Sequence, residues 1–560
     1  MLKNIEDLQA YRERCEQRIE DAKCRIMVCA GATCLMSGSK HIEREFRKLA
    51  KFHPGVDVSL MVEESETGVD VLRTGCQGLC KLATLVRIEK EDKVIQYVKV
   101  KRLDCEEIFE KSVLGDEIIE RLLYFEDDKA CVSPKDIPFF ATQDRILLKD
   151  MSESDLRYLH EYVGHGGFKA LEKALFKMNP DLVVKEVEKS GLKGRGGGGF
   201  PTGNKWRQVL ESDEEVKYIV CNGDEGDPGA FIDGAIMDGS AFRMIEGMII
   251  AGYATNSNEG HIYVRAEYPL SINRLNKSIK ILEEAGLLGD NILGSGFSYK
   301  LYVYSGMGAF VCGEESSLVA SLEGKRGFPR IKPPFLTVSG YNGKPTVVNN
   351  VETFANIPHI INNGSAWYKG IGTPSCPGTK IFSLSGAVKR PGLVEVPMGT
   401  TLRDIIFKVG NGMKKGSTFK AALVGGPTGR CLVERHLDIP FDFDTAAQND
   451  AIVGSGGIIV LDQDTDMVEL SLFLMNYSVN ESCGKCNPCR IGTSRMYDIL
   501  KKLYNHQGTE EDLKQLKETG EFVLTRALCG LGKSTPLMVL NTMADFPEEY
   551  QACLISKQEV

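Results

Sequence analysis

The spacing of apolar and polar positions changes period several times along the chain, and each change marks an element. At the N-terminus, "MLKNIEDLQAYRERCEQRIEDAKC" predicts a charged amphipathic helix. The short apolar run "CRIMV" predicts a strand, and "SGSKHIEREFRKLAKF" a helix capped by Ser37 or Ser39. "VDVSLMVE", "LATLVRIEK" and "KVIQYVKV" predict further strands, with two short helices near residues 104–123. That order suits a small α/β unit carrying ligands on the loops at one end. Farther on, "DLVVKEVEKSGL" reads as a helix and "YIVCNGDEGDPGAF" as a buried strand running into a polar loop. "IFSLSGAVKRPGLVEVPMGTTLRDIIFKVG" predicts strands, a turn and a helix. "LSLFLMNYSV", "TSRMYDILKKLYNH" and "EEDLKQLKETGEFVLTRAL" carry apolar residues at three-to-four spacing and predict a helical C-terminal region.

At 560 residues the chain exceeds what one core normally serves, so several domains are expected. A net charge of −9, with no basic-aromatic stripe, argues against nucleic acid as a partner. No stretch approaches the roughly 18 apolar residues of a membrane span, and the N-terminus lacks the apolar core of a secretory signal. The expectation is a cytoplasmic protein.

Seventeen cysteines change the picture. Secreted disulfide scaffolds are usually short, so clustered cysteines in a chain of this length point to metal or redox chemistry. Cys29 and Cys34 are spaced C-x4-C, and Cys76 and Cys80 C-x3-C. Four thiolates hold either zinc or an iron–sulfur cluster. Zinc more usually shows C-x2-C pairs, so these spacings favour [2Fe–2S], with zinc or purely structural cysteines as the alternatives. In "ESCGKCNPCRIGT", Cys483, Cys486 and Cys489 form C-x2-C-x2-C, and Cys529 follows in "RALCGLGKST". Three ligands on one tight turn and a fourth far away make a [4Fe–4S] pattern, against a zinc site as the alternative.

Between the two cysteine sets lies "KGRGGGGFPTGNKW". Glycines let a ligand approach the backbone closely and expose its N–H groups, although a flexible hinge is the plain alternative. The run is neither a G-x-G-x-x-G fingerprint nor a P-loop. Lys205 offers a partner for phosphate or a flavin ring, and Phe200 a stacking face. Asn222, Asp224, Glu225 and Asp227 end the "YIVC" strand. Gly313, Glu314 and Glu315 form a turn before a helix, and Lys332, Phe335, Asn349 and Asn350 follow. Singly each could be a solvated loop. Together they supply amides and carboxylates for hydroxyls, lysine for phosphate, and aromatic faces for rings, as a flavin mononucleotide and a nicotinamide dinucleotide require.

"GRGGGGFPTG", "CNGDEGDPGAF", "CGEESSL", "VVNNVET", "ESCGKCNPCR" and "LCGLG", in this order, resemble the NADH-binding flavoprotein subunit of respiratory complex I. The resemblance extends to its soluble relatives, the diaphorase subunits of NAD-linked [FeFe]-hydrogenases and formate dehydrogenases. It implies an α/β multidomain chain. Residues 1–125 would form a thioredoxin-like [2Fe–2S] domain, 126–144 a linker, and 145–375 an α/β FMN- and NADH-binding domain. Residues 376–465 would form a β-grasp, SLBB-like domain and 466–560 a helical domain with [4Fe–4S]. Gly194, Arg195, Gly196 and Gly197 would wall the flavin–nicotinamide site. Phe335 and Phe200 would stack on NADH, Lys332 would reach its phosphates or ribose, and Glu315 and Asp227 would serve the reaction. The implied function is exchange of hydride between NAD(H) and FMN, with single electrons passing to the clusters. The implied partners are a catalytic iron–sulfur subunit and a small [2Fe–2S] subunit, and flavin-based bifurcation is a further implication. An alternative is an electron-transfer scaffold that has lost nicotinamide binding. Many soluble relatives continue with a cysteine-rich tail and a two-cluster ferredoxin module where this sequence reads "EEYQACLISKQEV", so neither direct handling of free ferredoxin by this subunit nor a zinc site of tail cysteines is expected.

Overall fold

The computed structural model describes residues 1–51, 68–91, 93–155, 157–449 and 451–555. The first sheet has four strands in the order Val69–Thr74, Cys24–Cys29, Val86–Lys90, Lys93–Tyr97. The first pair is parallel and the others antiparallel. All six residues of Cys24–Cys29 are buried, as in a strand covered on both faces. The expected strand "VDVSLMVE" lies outside the described residues. Val69–Thr74 was hidden by its polar positions: Asp70 is buried because Arg18 of the N-terminal helix donates to it, at 2.9 Å from Nη1. Helix Ser39–Leu49 covers the sheet with Ile42 and Phe46, but neither serine caps it. The cap is Gly38 at φ +91°, a backbone conformation that favours glycine.

The N-terminal helix Ile5–Glu20 touches this sheet through Arg18 but buries its apolar face elsewhere. Leu8, Tyr11 and Cys15 join the core of the next module, beside Leu159 and Tyr162. Arg12 pairs with Glu172 at 2.9 Å, and Arg25 with Glu161 at 2.6 Å. The segment expected as a linker is also packed. It forms a hairpin, Tyr124–Glu126 with Lys129–Cys131, and buries Phe139 in the core of the third sheet.

The second sheet is wholly parallel, in the order Thr346–Asn350, Tyr218–Gly223, Glu259–Arg265, Lys300–Gly306. The chain enters at Tyr218–Gly223, adds two strands on one side, then crosses to add Thr346–Asn350 on the other. Ligands of open parallel sheets bind at such a switch point, beyond the carboxyl ends of the strands. Helix Ala241–Thr255, buried along almost its whole length, packs against helix Val351–Asn363. The third sheet has five strands, ordered Gly392–Pro397, Thr379–Gly386, Gly457–Asp462, Phe419–Val424, Arg430–Leu432. Two buried carboxylates lock it to the second module. Glu395 accepts from the N–H groups of Ile146, Leu147 and Leu148. Glu352 takes Lys380 Nζ at 2.6 Å, with both side chains out of solvent. The C-terminal helices Met467–Asn480, Asn487–Tyr504 and Glu510–Arg526 close over Leu500, Leu503 and Leu516.

Candidate functional site

Asn222 and Asn350 sit opposite each other at the carboxyl ends of the two strands flanking the switch point. Asn222 Oδ1 accepts from Asp224 N at 3.0 Å, and its Nδ2 donates to Gly313 O at 3.0 Å. Asn350 Oδ1 caps helix Val351–Asn363 through Glu352 N, while its Nδ2 donates to Asp233 Oδ2 at 2.6 Å. Against this pair lies the glycine loop, closed by Gly194 N to Phe200 O at 2.8 Å. A Cβ on Gly196 would stand 3.0 Å from Asn350, whereas one on Gly198 would meet nothing within 4 Å. The loop therefore presses on the strands at one residue and faces open space at another.

That space is a cavity of about 340 Å³. The glycine loop, Asn222, Gly313 and Asn350 line it, with Asp224, Glu225, Asp227, Asp233 and Glu314 supplying carboxylates. Gly425 and Ser455 come from the third module, and Gly530, Leu531 and Ser534 from the helical one. Asp224 Oδ2 is buried without a hydrogen-bond partner, and burial pushes the Asp224 carboxyl up to about 7. Burial likewise lifts Asp227 to about 6, against the pull of the Ser455 hydroxyl that donates to it. An orphaned acceptor in a glycine-walled cavity fits a polyol such as the ribityl chain of FMN. A phosphate beside five carboxylates would be repelled, so the anionic end is better served by loop N–H groups and Lys205.

Lys205 lies in a second cavity of about 390 Å³, which meets the first at Gly198. Glu315 Oε2 is 3.2 Å from Lys205 Nζ, and Oε1 is 2.6 Å from Lys332 Nζ. Burial alone would raise the Glu315 carboxyl, but the two lysines outweigh it and hold it below the ordinary range. Lys332 also reaches Glu314 Oε1 at 3.0 Å, while Glu314 Oε2 caps the next helix through Ser316 N and Ser317 N. Phe200 and Phe335 line the same cavity and are 47% and 56% exposed, so both rings offer free faces.

Gly194, Arg195, Lys332 and Asn349 line neither cavity, although Lys332 reaches Glu315. Arg195 is fully buried and directs its guanidinium to Tyr368 Oη and Pro377 O, which anchors the loop rather than touching either cavity. Asn349 is buried and accepts from Trp206 Nε1 at 3.0 Å, bracing the strand. Gly194 closes the loop at its base. Asp233 and Ser455 line the first cavity without having been foreseen, with Phe310 beside them. Only the acidic character of Asp233 could have hinted at it. Phe310 packs so closely that a Cβ on Gly226 would come within 2.5 Å of its ring.

Within the first cysteine quartet, thiols lie close to one another. Cys76 Sγ is 3.8 Å from Cys80 Sγ, and the Cys29 thiol is pushed well below its ordinary value by sulfur contacts with Cys34 and Cys76, burial notwithstanding. Among the described residues no three His, Cys, Asp or Glu side chains converge as a single ion requires. In the second quartet Cys489 Sγ is 3.4 Å from Ser482 Oγ, and Cys529 Sγ accepts from Gly532 N at 3.4 Å. Cys529 directly precedes Gly530 and Leu531, which wall the first cavity. The first quartet lies at the far end of helix Ile232–Gly239, whose Asp233 lines the same cavity. There the backbones touch, since a Cβ on Gly75 would be 2.9 Å from Gly239 Cα.

Three family models match: the Nuo51 FMN-binding domain over residues 187–359, the SLBB domain over 381–430, and the NADH-ubiquinone oxidoreductase-F iron–sulfur binding region over 469–553. The NADP-reducing hydrogenase subunit HndC of Solidesulfovibrio fructosivorans is 48% identical over 416 residues, 74% of this chain and 84% of that one. The F subunit of the NADH-quinone oxidoreductase of Aquifex aeolicus is 42% identical over 406 residues, 72% of this chain and 93% of the relative. Among solved structures, a chain of an NAD+-reducing [NiFe]-hydrogenase in the H2-reduced state superposes with a TM-score of 0.66 at 27% identity. That match covers 98% of this chain and 90% of the other.

Proposed function

The chain belongs to the Nuo51-type family of flavoprotein subunits found in NADH-quinone oxidoreductases and hydrogenases, and from that premise we propose that it exchanges electrons between NAD(H) and iron–sulfur centres through FMN inside a larger redox complex. The observation that carries the reading is a pair of cavities that share Gly198, one rich in carboxylates and amides, the other lined by Phe200, Phe335 and Lys205. When bound, FMN supplies the chemistry that takes up a hydride and gives out single electrons, which iron–sulfur centres carry.

The side chains supply position and charge. Gly198 borders both cavities and carries no Cβ to stand between rings bound on either side. Asn222 and Asn350, held by their backbone bonds, present fixed amides, and Asp224 Oδ2 receives a ligand hydroxyl. Phe200 and Phe335 stack on the dinucleotide. Glu315, kept charged by its lysines, accepts from ribose hydroxyls, while Lys205 and Lys332 offset phosphate charge. Asp227 exchanges a proton near neutral pH. Gly530, Leu531 and Ser534 stand between this cavity and Cys529.

The quartet Cys29, Cys34, Cys76 and Cys80 would hold a [2Fe–2S] centre as a second route for electrons. The likeness to the NAD+-reducing hydrogenase chain supports this, because it extends over the N-terminal module. Helix Ile232–Gly239 spans its eight residues, about 12 Å, between that quartet and the cavity. No described helix is long and apolar enough to cross a membrane. The partners we infer are a catalytic iron–sulfur subunit and a small [2Fe–2S] subunit in the cytoplasm.

The test is anaerobic. Protein containing flavin and both iron–sulfur groups should lose its flavin absorbance on addition of NADH. Phe335→Ala should raise the NADH concentration required by roughly tenfold to a hundredfold while flavin content stays unchanged, since a lost stacking partner costs about 1–3 kcal/mol. Flavin that stays oxidised under NADH would leave the scaffold reading in its place.

A further inference from the structure

Around the first cysteine quartet runs a buried polar chain that the electron route does not use. Gln77 follows Cys76, is fully buried, and its backbone N–H points to Cys29 Sγ at 3.4 Å. Its side chain is held at both ends. Nε2 donates to Thr74 Oγ1 at 3.2 Å, and Oε1 accepts from Gln96 Nε2 at 3.3 Å. Gln96, also fully buried, accepts at its own Oε1 from Arg87 Nε at 3.2 Å. On the other side, Gln77 O accepts from Arg145 Nη2 at 3.2 Å. Arg145 also bonds Leu148 O at 3.1 Å and lies 5.0 Å over the Phe140 ring. Two guanidinium groups therefore bracket Gln77, a residue whose amide reaches a ligand sulfur. They come from different parts of the chain, Arg87 from the first sheet and Arg145 from the segment joining it to the second module.

We propose that Arg87 and Arg145, through Gln96 and Gln77, set the reduction potential of the [2Fe–2S] centre at Cys29, Cys34, Cys76 and Cys80, holding it above what the four cysteines alone would give. The inference rests on the [2Fe–2S] reading of that quartet. Reduction adds one electron and one negative charge to the centre. Hydrogen bonds to its sulfurs and nearby cations favour the more negative state, and burial strengthens both effects. Both arginines feel the quartet: Cys29 is among the charges acting on Arg87, and Cys76 among those acting on Arg145. Burial lowers Arg145 to about 10, which leaves it cationic at neutral pH. Glu89, 3.8 Å from Arg87, opposes the effect, but its side chain is 29% exposed against 4% for Arg87, so solvent screens it more. Arg87 and Arg145 are positioning residues here, since neither touches the cluster ligands directly.

The experiment is a dithionite redox titration of the holoprotein, with the [2Fe–2S] signal followed by electron paramagnetic resonance and the [4Fe–4S] signal as internal reference. Arg145→Met and Arg87→Met should each make reduction of the [2Fe–2S] centre roughly tenfold less favourable, a fall of about 59 mV for a one-electron couple, with the [4Fe–4S] midpoint unmoved. Arg145→Lys, which keeps the charge and loses the planar donors, should fall between. If the methionine variants lose the signal, the comparison passes to Arg145→Lys and Arg87→Lys, where a smaller fall is expected. An unmoved midpoint in the variants that keep a normal signal overturns the inference. Absence of any [2Fe–2S] signal in the unsubstituted protein, with iron only at the level of the [4Fe–4S] group, removes the premise and the inference with it.

Discussion

Asp224 joins two properties in one side chain: an acceptor oxygen without a partner, and a carboxyl raised from 3.8 to about 7 by burial. Between those values the folded protein binds more protons at Asp224 than the unfolded chain does. Stability of the flavin-free protein therefore falls as pH rises through that window. The loss is on the order of 2 kcal/mol, roughly half of what the full shift implies, because the side chain keeps partial solvent contact. Asp227, raised to about 6, acts in the same direction, so removing Asp224 should flatten the profile only in part. Thermal unfolding of the flavin-free protein between pH 4 and pH 7.5 should show this decline, and Asp224→Asn should lessen it. An identical decline in the variant would mean that Asp224 is ionised freely in the fold.

Helix Ile232–Gly239 connects the first cavity to the first cysteine quartet, and its two ends are fixed by different means. Glu225 accepts from Ile232 N and Gly234 N at the start, so a carboxylate meets the positive end of the helix. At the other end Gly239 lies against Gly75, backbone to backbone, and a Cβ there would stand 3.0 Å from both Gly75 Cα and Met151 Cε. Gly239→Val should push the quartet loop away from the helix, at a cost of about 1–3 kcal/mol for overpacking. Calorimetry should register that loss. Flavin content should persist, because the cavity lies at the opposite end of the helix. Slower reoxidation of the [2Fe–2S] centre by the flavin in rapid-mixing experiments would accompany it, and an unchanged rate would show that the contact does not lie on the route.

At the scale of the molecule, one cavity draws its walls from three modules, with the helical C-terminal region reaching it through the residues that follow Cys529. Binding and electron exit are thus adjacent but built from separate parts of the chain. Cys486→Ala leaves three thiolates for a cube that needs four, and Cys486 is the N-cap of helix Asn487–Tyr504, not a wall of the cavity. Loss of the [4Fe–4S] group is expected, while NADH should still bleach the flavin in a single stopped-flow turnover. Delivery to the partner subunits should collapse by at least about tenfold, equivalent to about 1.4 kcal/mol in activation free energy. Normal partner-linked turnover without that group would make the first quartet the main exit.

The spacing of the cysteines, the period of the helices and strands, and the glycine and carboxylate loops were legible because each is local: a few neighbouring residues carry the whole signal. The strand Tyr218–Gly223, the turn before helix Glu315–Leu322 and the three long C-terminal helices all stand where the pattern indicates. Long-range contacts decided the remainder. Arg195 reads as a ligand residue in its motif, yet Tyr368 and Pro377, nearly two hundred residues onward, draw it into the core. The N-terminal helix is amphipathic as its sequence demands, but amphipathicity does not say which core will receive its apolar face, and Leu159 and Tyr162 receive it. Ser455 and Gly425 have ordinary identities and no motif of their own, so only the packing of the third module against the second makes them walls of a cavity. The chain's local chemistry determined which ligands it is equipped to hold. Where those ligands meet is set by contacts between segments distant in sequence, and no local pattern records them.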